Sequence, residues 1–237
     1  MSEQFAPTLQ ELDIGPASEN PLRRLAEAED YATDFEAQKA AVSLATQKYH
    51  KYNQCLLRAE AIPADAWMRR MLDALQERFL FAPASSREEY HGAYRGGLVV
   101  HVVSVFEHAV RLRDVRGIPP SDISQRTLWR VALLHDLGKL GSLDQEYYSD
   151  QKAGWKLDRG WRYEINKDRS LVAMSIPARA IWLCLQFQVQ LTAEEMQAVL
   201  YSDGAYVPEH DHVRNKEHPL QMLLHHADAW VSQIIRI

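Results

Sequence analysis

The sequence predicts an all-α helical bundle carrying one short β-hairpin. Three observations lead there. Apolar residues recur at steps of three, four and seven along most of the chain, as expected of helices that bury one face. Alternation of large and polar residues is confined to "GWKLDRGWRYEIN", residues 154–166, around Asp158-Arg159-Gly160. No internal repeat or low-complexity tract divides the 237 residues.

The elements follow in order. Residues 1–20 mix Pro, Gly, Ser and acids without periodicity and read as a flexible acidic arm. Residues 21–62 read as a helical extension, one long helix or two in succession. Its apolar face is Leu22, Leu25, Tyr31, Phe35, Val42, Ala45, Tyr49, Tyr52 and Leu56. This segment is expected either to wrap the bundle or to make a contact in a homodimer. Residues 63–237 form the main domain. Pro63 opens a helix with Trp67, Met71 or Leu72, Leu75 and Phe79 on one side. "APASSREEYHGAYRGG" is a loop, and the apolar helix "LVVHVVSVFEHAVRL" follows. "GIPPSDIS" supplies a turn and an N-cap for a helix that runs to His135. After the hairpin, helices resume near Ser170, with Pro177 kinking or restarting the first. Thr192 and Glu195 form a capping box for the next helix. "SDGAYVPEHDHVRNKEH" is a loop before the last helix, "PLQMLLHHADAWVSQII".

Bulk properties narrow the function. The net charge is −5, unevenly spread. Residues 1–36 hold nine acids and two bases, so the remainder is slightly basic. A near-neutral body argues against strong non-specific duplex binding, but leaves room for a pocket that takes one phosphate. No apolar run reaches the ~18 residues of a membrane span. The N-terminus shows no secretory pattern, so a cytoplasmic protein is expected. Cys55 and Cys184 lie far apart without CxxC spacing and read as reduced thiols.

The chemistry concentrates in "VALLHDLGKLG", residues 131–141. Four apolar residues run into His135 and Asp136, which would be costly to bury without a partner. Neighbours on a continuous helix point about 100° apart. Both can reach one ion only if the helix ends there, and Gly138 is expected to supply the turn. His101, in the apolar run "LVVHVVSV", is a third candidate ligand; alone, it also reads as a core histidine bound to a carbonyl. Asp228 in "LLHHADAW" is a fourth, with a salt bridge to a buried arginine as the alternative. Two imidazoles and two carboxylates suit one divalent ion among Mn, Fe, Co, Ni and Mg, and the set lacks the thiolates of a structural zinc site.

The order His101 … His135-Asp136 … Asp228 resembles the H…HD…D signature of the HD-domain superfamily of metal-dependent phosphohydrolases. "HDLGK" carries the resemblance most specifically. "YHGAYRGGLVVH" is similar to the "HH-x-x-x-GGL-x-x-H" stretch of stand-alone bacterial and phage HD proteins. That stretch also occurs in HD-type 3′–5′ exoribonucleases and plasmid relaxases. "HPLQMLLHHADAW" resembles their "PL-x-x-LLH-x-AD" ending. The resemblance covers residues 65–235 and implies an HD-domain helical bundle acting on a nucleotide or a short nucleic-acid phosphoester.

It also implies roles. His101, His135, Asp136 and Asp228 would hold the metal, and Asp136 would double as a general base. His91 would sit at the substrate mouth, protonating a leaving oxygen or binding phosphate. From the residues themselves, Lys139 is placed to meet a phosphoryl oxygen, and Arg95 to bind substrate beside Gly96-Gly97, which let the backbone approach the pocket. His225, three residues before Asp228, is expected to orient a ligand. His226 and His108 read as structural. Two helper histidines of the resembled pattern are replaced by Asn166 and Ser202, the latter followed by Asp203, so one metal is expected rather than two. His210, His212 and His218 read as surface-loop residues. Tyr147, Tyr148, Trp155, Trp161 and Tyr163 form either a lid that stacks on a base or an aromatic mini-core. The chain has no strand-rich region for the OB-fold that accompanies the exoribonucleases. The competing function is a catalytically inactive nucleotide- or nucleic-acid-binding protein with a structural metal, motivated by Asn166 and Ser202.

Overall fold

A tryptophan buried among three other aromatic rings ties three helices together, and a fourth joins through one of those rings. In the computed structural model, which describes residues 31–58, 61–204 and 207–235, Trp129 packs against Tyr49, Tyr52 and Phe106. Its indole N–H donates to Asn53 Oδ1 at 2.9 Å, so the polar end of a fully buried ring is satisfied. These residues come from α1 (Tyr31–Leu56), α3 (Gly97–Val115) and α4 (Gln125–His135), and Phe79 of α2 (Pro63–Phe81) stacks on Tyr49. The helix assigned from sequence to the N-terminal extension therefore shares the main core. Phe35, expected on its buried face, is exposed. The arm at 1–20, the stretch 21–30 and the apolar positions Leu22 and Leu25 lie outside the described residues.

The all-α architecture with one hairpin is as expected. α3 is the central rod, buried along most of its length. It packs against α1, α2, α4 and the last helix, α8 (Pro219–Trp230). α6 (Ile176–Gln186) and α7 (Ala193–Leu200) close the other side of α4. Caps sit where the sequence places them. Ser124 accepts from Thr127 N–H, and Thr192 and Glu195 form the reciprocal capping box.

Three local expectations are corrected. The hairpin pairs β1 (Tyr148–Asp150) with β2 (Tyr163–Ile165), and between them Gly154–Leu157 forms a helical turn, α5, rather than strand. Helix α6 starts at Ile176, not near Ser170, with Ser175 as its cap and Pro177 in its first turn. The loop before α8 contains a 3₁₀ turn, Pro208–Val213. Among the described residues, no helix is long and apolar enough to cross a membrane.

One buried ionic network anchors α4. Asp65, fully buried near the start of α2, accepts from Arg126 at 2.6 and 2.8 Å and from Arg130 at 3.3 Å. Arg130 also donates to Glu195 of α7 at 2.8 and 3.2 Å and to the Gln190 carbonyl at 2.8 Å. The helix that ends in His135 is thus tied to both neighbours by charge as well as by packing.

Candidate metal centre

Residues 131–134 of α4 are wholly buried, and the helix stops at His135. Asp136 leaves helical geometry at φ −107° and ψ 4°, and a single 3₁₀ turn, Leu137–Leu140, follows. This break lets two adjacent side chains face one point: His135 Nε2 lies 3.7 Å from Asp136 Oδ2. Gly138 is needed for a reason other than the expected one. It does not adopt a positive φ; a Cβ there would meet the Ile176 carbonyl oxygen at 2.1 Å. The glycine lets the 3₁₀ turn press against the start of α6, and the left-handed residue is Gly141, at φ 90°.

α3 and α8 bring the remaining groups. His101 Nε2 stands 3.2 Å from His135 Nε2, 3.2 Å from Asp228 Oδ1 and 3.3 Å from Asp136 Oδ2. One ligand atom from each of His101, His135 and Asp228 falls within a 4.8 Å sphere of separations. Asp136 adds its carboxylate beside them and is paired with Lys139 Nζ at 2.6 Å.

The hydrogen bonds indicate what the cluster lacks. His135 Nδ1 meets the Ala132 carbonyl at 2.8 Å. A carbonyl only accepts, so Nδ1 carries a proton, and the ring turns Nε2 toward the cluster. Two imidazole nitrogens 3.2 Å apart, flanked by two carboxylates, need a shared cation. Without a metal, a proton serves. Burial alone would lower the His101 pKa, but hydrogen bonds to Asp136 and Asp228 outweigh it and raise the value above 6.5. Burial would likewise raise both carboxylates. Lys139, His135 and His101 hold Asp136 well below its ordinary range instead. The hydrogen bond from His101 and the nearby His135 lower Asp228. A divalent ion in place of that proton fits the donor set: two imidazole nitrogens, carboxylate oxygens and no sulfur.

The cluster opens on a cleft of about 650 Å³. His91, His135, Asp136, Lys139, His225 and Asp228 line it, together with Ser202 and Asp203. His91 lies over His101 with ring centroids 4.5 Å apart. The glycine pair places it there. Gly97 leaves room for the Gly92 carbonyl, which a Cβ would approach to 2.1 Å, and Gly96 takes φ 83°. These glycines pack the loop onto α3; the contacts that require them are with Gly92, Val42 and Leu80, not with the cleft. Among the described residues, the buried His91 Nε2 has no hydrogen-bond partner. Burial, with His101 and Lys139 nearby, pushes its pKa down to about 3.

The other sequence-predicted residues divide. Arg95 is exposed outside the cleft lining and pairs with Asp150 of β1 at 3.3 Å. His225 lines the cleft, and its Nδ1 donates to the Ser202 carbonyl at 2.7 Å. Asn166 is half-buried and donates to the Glu146 carbonyl, whereas Ser202 is buried at the cleft wall. His218 caps α8 by accepting from Leu220 N–H, and His210 and His212 pack on Tyr201. Of the aromatic set, Tyr147 and Tyr148 come within electrostatic reach of Asp136. Trp155 is exposed and Trp161 stacks under Arg87. Sequence reasoning missed Ser232, whose hydroxyl donates to Asp228 Oδ1 at 2.9 Å. Its position four residues after Asp228 was the available signal.

Comparison with family models, curated proteins and solved structures finds no match to this chain.

Proposed function

We propose that the chain is a metal-dependent phosphohydrolase of the HD type, acting on a phosphoester of the nucleotide class. One observation carries the reading: His101, His135 and Asp228, distant in sequence, converge with Asp136 at the floor of an open cleft beside a lysine. A divalent ion bound there supplies Lewis-acid polarisation of a phosphoryl oxygen and acidifies a water. His101, His135, Asp136 and Asp228 would hold it. Ionised Asp136 offers a proton acceptor at the same place. Lys139 brings a point charge to the wall where a phosphoryl oxygen would lie. His91, held neutral by burial, serves as a hydrogen-bonding group at the mouth rather than as a cationic acid.

Elemental mass spectrometry of the purified protein tests this, with bis(p-nitrophenyl) phosphate and mononucleotide hydrolysis run on the same sample. The expected result is about one transition metal per chain and manganese-stimulated turnover, with the metal lost in both His135→Ala and Asp136→Ala. Unchanged metal content in both variants refutes the reading. A loaded protein that turns over neither substrate favours the binding-protein alternative that Asn166 and Ser202 motivate.

A further inference from the structure

The cleft carries little positive charge for a site expected to take a nucleotide. Among its described lining residues, Lys139 is the one Lys or Arg, and its Nζ is 2.6 Å from Asp136. Against it stand Asp136, Asp203 and Asp228. Asp203 is not part of the ligand cluster. It lies at the exposed rim, where partial burial of its carboxyl, reinforced by the charges of Asp136 and Asp228, raises its pKa. One divalent ion and Lys139 together balance the three carboxylates and leave nothing over. A chain of phosphates needs several cations along its length, and the described lining does not offer them. The rest of the described lining mixes apolar Ile176, Pro177, Val207 and Ala229 with uncharged polar groups such as Ser202, Ser232 and Gln233.

We infer that the site selects a ligand with a single phosphoryl group on an uncharged, partly apolar body, and that Asp203 at the rim repels polyphosphates and oligonucleotides. This rests on the phosphohydrolase reading and narrows its substrate class. A lone phosphoryl group can lie between the metal cluster and Lys139, while the body contacts Ile176, Pro177 and Val207. A second or third phosphate would extend outward toward the Asp203 carboxylate.

Calorimetric binding of inorganic phosphate and of tripolyphosphate to the manganese-loaded protein tests it without relying on turnover. Hydrolysis of a nucleoside monophosphate and its triphosphate runs in parallel. The wild-type protein should bind phosphate at least as tightly as tripolyphosphate and prefer the monophosphate. Asp203→Asn, a rim substitution checked for an unchanged melting temperature, should shift both preferences toward the longer anion by about tenfold, as expected for one unit charge facing another across a few ångströms of partly screened medium. Tighter binding of tripolyphosphate by the wild type overturns the inference, as does an Asp203→Asn variant with unaltered preferences. Failure of the phosphohydrolase reading looks different: the wild-type chain takes up no manganese and binds neither anion, which removes both.

Discussion

Replacing Glu195 by alanine should destabilise the fold more than any exposed ion pair would. Arg130, 2% exposed, is held by two bonds to Glu195, one long bond to Asp65 and one to the Gln190 carbonyl. Removing the Glu195 carboxylate leaves a buried guanidinium with its best partner gone. Breaking a buried pair from one side costs about 3–5 kcal/mol. Glu195 also closes the capping box with Thr192, and loss of such a cap adds about 1 kcal/mol. For a domain of this size each kcal/mol lowers the melting temperature by about 2–4 °C, so a drop of roughly 10–20 °C is expected. Thermal denaturation followed by circular dichroism reads it. Glu195→Gln can keep the cap while losing the charge, so its drop should be smaller by the cap's share. A change below about 4 °C in Glu195→Ala would place the pair with surface salt bridges and refute the anchoring role.

Other perturbations have equally definite outcomes. The raised pKa of His101 makes the metal-free protein pH-sensitive. Protonated His101 stabilises the fold fully below its unfolded value near 6.5, and that contribution is lost as pH climbs through the folded value. Melting temperatures measured across this range should fall in chelator-treated protein and hold in manganese-loaded protein; parallel curves would contradict the shared-cation account. Ser232→Ala removes the hydroxyl bound to Asp228 Oδ1 and should weaken manganese binding by about tenfold or more, with Ser232→Thr restoring it; equal affinities for all three proteins would show that Ser232 does not position the carboxylate. Gly138→Ala puts a Cβ 2.1 Å from the Ile176 carbonyl. It should cost about 1–3 kcal/mol by overpacking and lower metal content, read by denaturant unfolding and elemental analysis. A variant of unchanged stability would mean that the 3₁₀ turn and α6 separate freely.

The sequence was most legible where the physics is local. Helical periodicity located α2, α3, α4 and α8, and the Ser124 and Thr192 caps follow from hydrogen bonds within three residues. Errors arose where a local competitor was overlooked. Ser170 does not begin a helix because Asp168 accepts from both its backbone N–H and its hydroxyl, closing a turn instead. The alternation at 154–157 is absorbed by a helical turn that Gly160, at φ 77°, helps to end. Arg95 looked like a pocket residue because glycines follow it, but those glycines serve loop packing. The Asp65–Arg130–Glu195 network was invisible because its members are 65 residues apart on either side. The four ligand candidates were legible for the opposite reason: ionisable groups in apolar helices demand a partner wherever it comes from.

That demand also explains why an apolar helix should end in His-Asp at all. In the metal-free chain, the proton on His101 and the charge of Lys139 neutralise Asp136 and Asp228. The cluster is then satisfied but offers nothing to an anion. Exchanging the single proton for a divalent ion adds one net positive charge at the cleft floor. Burial magnifies the effect, because charges at His101 and Asp136 are poorly screened by solvent. Asp203, outside the inner cluster and facing solvent, opposes that field at the rim. Under the proposed function, the attraction for a phosphoryl group is therefore confined to the floor. The same few side chains that make metal binding and proton binding exclusive would also set how much anionic charge the cleft tolerates.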